Sequence, residues 1–145
     1  FDAPGFTLMN TGNADMTVTG GTVKCGGIKT GYALMAAGSA AKLTVSGGDI
    51  EAIQSIGGAQ VNISGGSVYC EGVYYALYNG GGNTSISGGY FYSPTGKNIY
   101  VASGTVKTTG GYFSDKSAPL ESGYKFQDIS VTENGNQYNY QVVSE

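Results

Sequence analysis

The chain has 145 residues, 26 of them glycine and 3 proline, with 12% charged residues and a net charge of −3. That length fits one domain around one continuous core, and the apolar, β-branched balance excludes a disordered linker. Arginine and histidine are both absent, so no basic stripe exists to neutralise phosphate or anionic lipid, and no run of about 18 apolar residues could span a bilayer. Nucleic acid is therefore not expected as a partner, and no membrane insertion is expected. Phe1 opens the chain without a signal-peptide pattern, which reads as a mature or trimmed segment whose targeting sequence lies elsewhere.

In chain order, residues 1–14 read as a partial first coil with Phe6 and Leu8 facing inward. Residues 15–116 are governed by a repeat. A hydroxyl residue followed by two glycines occurs five times: Thr19-Gly20-Gly21, Ser46-Gly47-Gly48, Ser64-Gly65-Gly66, Ser87-Gly88-Gly89 and Thr109-Gly110-Gly111, at spacings of 27, 18, 23 and 22 residues. Two residues before each first glycine stand Val18, Val45, Ile63, Ile86 and Thr108, and four before it Met16, Leu43, Val61, Thr84 and Val106. This alternation is the period of a half-buried strand. Three residues after the first glycine come Val23, Ile50, Val68, Phe91 and Phe113, so a second strand leaves a corner where glycine permits φ > 0.

A third apolar stretch follows in each full turn: Tyr32 to Met35, Ile53 to Ile56, Tyr75 to Tyr78 and Ile99 to Ala102. Three short strands per repeat predict a three-sided coil. The shortest repeat has no room for a crossover helix, which with its loops takes at least about 10 to 12 residues. The spacing therefore predicts an all-β, right-handed parallel β-helix, a β-solenoid, of about five coils stacked ~4.8 Å apart. Loop insertions are expected at Gly26 to Gly31, Gly38 to Ala41, Gly80 to Asn83 and Ser93 to Lys97. The helix propensity of Tyr32 to Leu43 is outweighed by the matching segment Tyr74 to Tyr78, which runs into Asn79-Gly80-Gly81-Gly82. Residues 117–145 begin with the coil-breaking Lys116-Ser117-Ala118-Pro119 junction and alternate around Asn134-Gly135, a strong hairpin signal. Arms at Gln127 to Thr132 and Gln137 to Val143 would cap the open end of the stack.

The Val-x-Ile-Ser-Gly-Gly-x-Val/Phe repeat, Gly110-Gly111-Tyr112-Phe113-Ser114, Gly123-Tyr124 and the Asn134-Gly135 hairpin together resemble the right-handed β-helix surface proteins of anaerobic gut Firmicutes, over roughly residues 15 to 143. That family sits within the broad pectin-lyase-like fold group. Some of its members are described as carbohydrate-binding domains and others as large repeat-bearing surface proteins. The resemblance implies a secreted or wall-attached location and supplies no activity, since the fold hosts both lyases and inert spacers.

The residues themselves argue against catalysis. Without histidine there is no Ser-His or Cys-His pair, and two cysteines alone make a thiolate zinc site a poor expectation. No cofactor is expected. Cys25 and Cys70 fall two coils apart, roughly 9.6 Å, beyond the Cα separation of about 4.4 to 6.8 Å that a disulfide tolerates, so both are expected as buried thiols acting as small hydrophobes. Asp49 and Glu51, two apart and pointing outward, could mimic a carboxylate pair. Glu51 shares its register with Lys24, however, and a solvated cross-strand ion pair is the simpler expectation.

The twelve tyrosines are more informative. One outward column of the second strand holds Thr22, Asp49, Ser67, Tyr90 and Tyr112, and the next holds Lys24, Glu51, Tyr69, Tyr92 and Ser114. Tyr69, Tyr90, Tyr92 and Tyr112 thus predict an exposed aromatic patch on which sugar faces could lie. Tyr74, Tyr75, Tyr78 and Tyr100 make the same case on the third side. Stacked aromatics also simply stabilise neighbouring strands. The first strand's outward hydroxyls, Thr17/Thr19, Thr44/Ser46, Asn62/Ser64, Ser85/Ser87 and Lys107/Thr109, are too irregular to order ice and fit ordinary β-propensity. The function this predicts is a non-enzymatic extracellular module for adhesion or contact with polysaccharide or cell-surface glycan. The alternatives are a structural spacer within a larger surface protein and a relative of polysaccharide lyases or hydrolases.

Overall fold

The computed structural model describes residues 8–25, 31–71 and 75–145. Among them there is no helix, only strand and turn: β1 (Leu8–Thr11), β2 (Asp15–Val23), β3 (Leu34–Ala37), β4 (Lys42–Glu51), β5 (Ile53–Ile56), β6 (Gln60–Ile63), β7 (Ser67–Tyr69), β8 (Leu77–Ile86), β9 (Tyr90–Tyr92), β10 (Ile99–Thr108), β11 (Tyr112–Phe113), β12 (Tyr124–Glu133) and β13 (Asn136–Ser144). The strand period turns alternate residues inward, and the repeat brings equivalent residues into register layer on layer. Before the corner, Met16, Leu43, Val61, Thr84 and Val106 form one parallel column. After it, Val23, Ile50, Val68, Phe91 and Phe113 form a second, and Leu8, Leu34, Ile53, Leu77 and Ile99 form a third.

The result is a parallel β-solenoid of about four turns. Five coils were expected from five corner motifs, but five strand layers enclose only four steps from one layer to the next. The three columns fill the interior, where Leu34, Leu43, Ile50, Val68, Phe91 and Phe113 have no exposed surface. The Phe91 and Phe113 rings stack at 4.9 Å and 8°. Cys25 and Cys70 are both buried thiols.

Each glycine of the pair has its own reason to be glycine. The second adopts positive φ, as at Gly48 (93°) and Gly66 (83°), where a Cβ costs roughly 1–2 kcal/mol. The first sits directly on the carbonyl of the hydroxyl residue one layer earlier. A Cβ at Gly47, Gly65, Gly88 or Gly110 would lie 2.3, 2.4, 2.3 or 2.2 Å from the backbone oxygen of Thr19, Ser46, Ser64 or Ser87. At Gly20 and Gly21, in the first layer, a Cβ would meet nothing within 4 Å.

Two of the expected insertions have a different form. Gly38 to Ala41 is a regular corner, closed by the Ala41 N–H on the Gly38 carbonyl at 3.0 Å and matched one layer on by Ala59 N–H on Ile56 at 3.2 Å. Gly80 to Asn83 is no loop at all; it lies inside β8, whose pairing with its neighbours slips there. Buried Asn79 bridges the slip. Its Nδ2 donates to the Gly82 and Ser103 carbonyls, each at 2.9 Å, and its Oδ1 accepts from Thr84 Oγ1 at 2.7 Å. The strand can therefore bulge without orphaning its polar groups. Phe6, most of the Gly26 to Gly31 loop and Tyr74 lie outside the described residues.

The last coil ends in a polar clasp. Asp115 accepts from the Asn98 N–H at 3.1 Å and from the Ser117 N–H and Oγ at 3.0 and 2.6 Å, while Ser117 Oγ in turn accepts the Ile99 N–H at 2.9 Å. Beyond it β12 and β13 form the hairpin around Asn134 (φ 51°) and Gly135 (φ 80°). Two successive left-handed residues make the two-residue turn that matches strand twist. The arms are longer than the sequence suggested, and β13 runs antiparallel beside β11, pairing Tyr112 with Gln141 and Phe113 with Tyr140. Phe126 closes the core end, edge-on to Phe113 at 6.1 Å and 87°.

Candidate functional site

Register positions the candidate tyrosines. Asp49, Ser67, Tyr90 and Tyr112 form one outward column of the second side, with Glu51, Tyr69 and Tyr92 beside them. Tyr90 and Tyr112 stack at 4.8 Å and 11°. All four rings are half-buried rather than open, because the hairpin leans over this side. Tyr138 of β13, only 1% exposed, sets its ring edge-on to Tyr90 at 5.1 Å and to Tyr92 at 6.2 Å. Gln141 Nε2 donates to the Tyr112 hydroxyl at 3.3 Å. At the hairpin tip, Asn134 Nδ2 donates to Asp49 Oδ1 at 3.3 Å, three layers from Tyr112.

The patch is thereby divided. Tyr90 and Tyr112 lie beneath the hairpin, while Tyr69 and Tyr92 face a cleft of about 560 Å³ that it roofs, with Asn134, Asn136, Lys24, Asp49 and Glu71 among its lining residues and the buried Tyr138 at its edge. Burial, and then the carboxylates of Glu51, Glu71 and Asp49, push the Tyr69 hydroxyl well above the ordinary tyrosine range. Burial is also the main cause that raises Tyr138 to about 12, opposed by a hydrogen bond from Asn136. Tyr90 is raised as well, by burial first and then by Glu133 and Tyr112.

Glu51 departs from the expectation of a solvated side chain. It is 5% exposed, and its Oε2 accepts the backbone N–H of Cys25 at 2.8 Å. The carboxylate replaces a strand partner at the corner, so it is buried on the Cys25 backbone rather than displayed beside Asp49. The two carboxylates accordingly have separate surroundings. Among the described residues no group of three or more His, Cys, Asp or Glu is arranged to hold a metal ion.

The third side carries a different cluster. Tyr75 stacks on Tyr100 at 4.5 Å and 13°, Tyr78 on Tyr100 at 5.7 Å and 22°, and Tyr32 meets Tyr78 at 5.9 Å. Lys97 Nζ lies 6.0 Å from the Tyr100 ring centre. These rings use their faces on one another, which leaves less open face for a ligand. The Tyr69 and Tyr92 wall is legible in the sequence, whereas the hairpin side of the cleft, Asn134, Asn136 and the buried Tyr138, is not. The available signal was the Tyr138, Tyr140, Val142 alternation, which gives the second hairpin arm an apolar side in need of cover.

Fold and site together define the class, a parallel β-solenoid whose terminal hairpin folds back to roof a tyrosine-walled cleft on its second side. No protein-family model, curated protein or solved structure matches the chain.

Proposed function

We propose that the protein is a non-enzymatic extracellular module that contacts glycan, and that the roofed cleft is where it does so. The observation that carries this reading is the pair of half-buried rings, Tyr69 and Tyr92, beside the carboxylate and amide groups of Asp49, Glu71, Asn134 and Asn136 in one cleft. Pyranose rings offer apolar C–H faces and a girdle of hydroxyls. Aromatic walls take the first and polar side chains the second. A chain of low charge, rich in glycine and hydroxyl residues, suits an extracellular setting.

The test is retention on a panel of immobilised polysaccharides. Replacing Tyr69 and Tyr92 together by Ala removes two aromatic contacts of about 0.5–1.5 kcal/mol each, so affinity should fall roughly tenfold or more, while Tyr100→Ala on the third side leaves it unchanged. Retention indifferent to the double substitution would overturn the reading. A second reading, a stacking segment of a longer solenoid, draws on Gly20 and Gly21, whose corner has the same form as the others but no described neighbour on its outer side. It predicts no retention on any member of the panel by either protein.

A further inference from the structure

We infer that the ligand of this cleft carries a protonated primary amine, so that the glycan is an amino sugar polymer with unacylated amines. The inference rests on the glycan reading and names its substrate class. Its first support is shape. Two half-buried tyrosine rings of the solenoid wall, Tyr69 and Tyr92, line one cavity of about 560 Å³, and the buried Tyr138 of the hairpin packs edge-on to Tyr92. That volume lies within the ~300–1,000 Å³ of ordinary small-molecule sites. Aromatic rings around a partly desolvated space attract a cation through their negative faces.

The second support is charge. Two carboxylates, Asp49 and Glu71, line the cleft with one ammonium, that of Lys24. Their field is felt at the Tyr69 hydroxyl, where Glu71 and Asp49, together with Glu51 in the adjacent strand, disfavour a further negative charge. An anionic sugar such as a uronate would meet that same repulsion. A neutral sugar would leave the field unused.

A divalent metal ion is the competing occupant, and the donor set does not suit it. No three carboxylates or other ligating groups converge among the described residues, and Glu51 already spends one oxygen on the Cys25 N–H. An ammonium needs no such convergence. Its N–H groups can be accepted singly by Asp49, Glu71, a tyrosine hydroxyl or an asparagine amide oxygen, all of which line the cleft. A quaternary ammonium would use the rings alone and leave these acceptors unpaired.

The experiment uses the whole chain and two probes that differ only in the amine: the fully deacetylated glucosamine hexamer and its N-acetylated counterpart, titrated by calorimetry below the pKa of the sugar amine. The deacetylated hexamer should bind at least about tenfold tighter. Glu71→Gln and Asp49→Asn should each weaken it by roughly two- to fivefold, more at low salt than at high, and leave the weaker binding of the acetylated hexamer unchanged. Equal or tighter binding of the acetylated hexamer overturns this inference and leaves the glycan reading intact. Absence of binding by both hexamers and by every neutral glycan of the panel overturns both. Capture of tetramethylammonium without capture of the hexamer also overturns the amino sugar assignment.

Discussion

Replacing Gly65 by Ala should cost far more than the same change at Gly20, although both are first glycines of the same motif. A Cβ at Gly65 would sit 2.4 Å from the Ser46 carbonyl oxygen, closer than atoms can approach, so two layers must part at that corner. The neighbouring Ser64 N–H to Val45 carbonyl bond, 2.8 Å long, would stretch with them. Overpacking typically costs about 1–3 kcal/mol and a lost hydrogen bond about 1 more, giving about 2–4 kcal/mol in all. At Gly20 the new methyl meets nothing within 4 Å, and the change should stay within about 0.5 kcal/mol. Urea melts followed by far-ultraviolet circular dichroism report the difference as a shift in midpoint at constant slope. Equal effects at the two sites would refute the idea that the corners stack one upon another.

Asp115→Ala removes the acceptor of three hydrogen bonds at the end of the last coil, and should destabilise the protein by about 2–3 kcal/mol in the same assay, with no change in glycan retention. In an alkaline titration followed by tyrosinate absorbance, Tyr69, Tyr90 and Tyr138 should ionise above the ordinary tyrosine range, Tyr138 near pH 12. Their folded-state values lie above the unfolded value of about 10, so the folded chain binds more protons there. Stability is therefore full below about pH 10 and falls as the pH rises toward 12. Tyr138→Phe should lessen that fall, and an unaltered pH dependence in the variant would contradict the burial argument.

The solenoid was legible because two local signals agree. Alternation marks which residues face inward, and the hydroxyl-Gly-Gly corner fixes the register, so Val23, Ile50, Val68, Phe91 and Phe113 align from sequence alone. The same register gave the Tyr90 over Tyr112 column and the Tyr69 beside Tyr92 wall. What escaped depends on contacts distant in sequence. Asn134-Gly135 announces its turn through local backbone preference, but nothing local says that the tip lies against Asp49, 85 residues earlier. Glu51 reads as a surface residue by type, and only the backbone of Cys25 in the previous layer makes its burial tolerable. Asn79 likewise hides a bulge, since its amide takes up carbonyls that the slipped register leaves unpaired.

The central claim is that the roofed cleft, not the third-side tyrosine stack, holds the ligand. The most direct measurement follows tyrosine ring resonances by nuclear magnetic resonance while the best-retained oligosaccharide is added. Saturable shifts at Tyr69, Tyr92 and Tyr138, with Tyr75, Tyr78 and Tyr100 unmoved, are the predicted result. Shifts confined to Tyr75, Tyr78 and Tyr100, with the cleft rings silent, would contradict it.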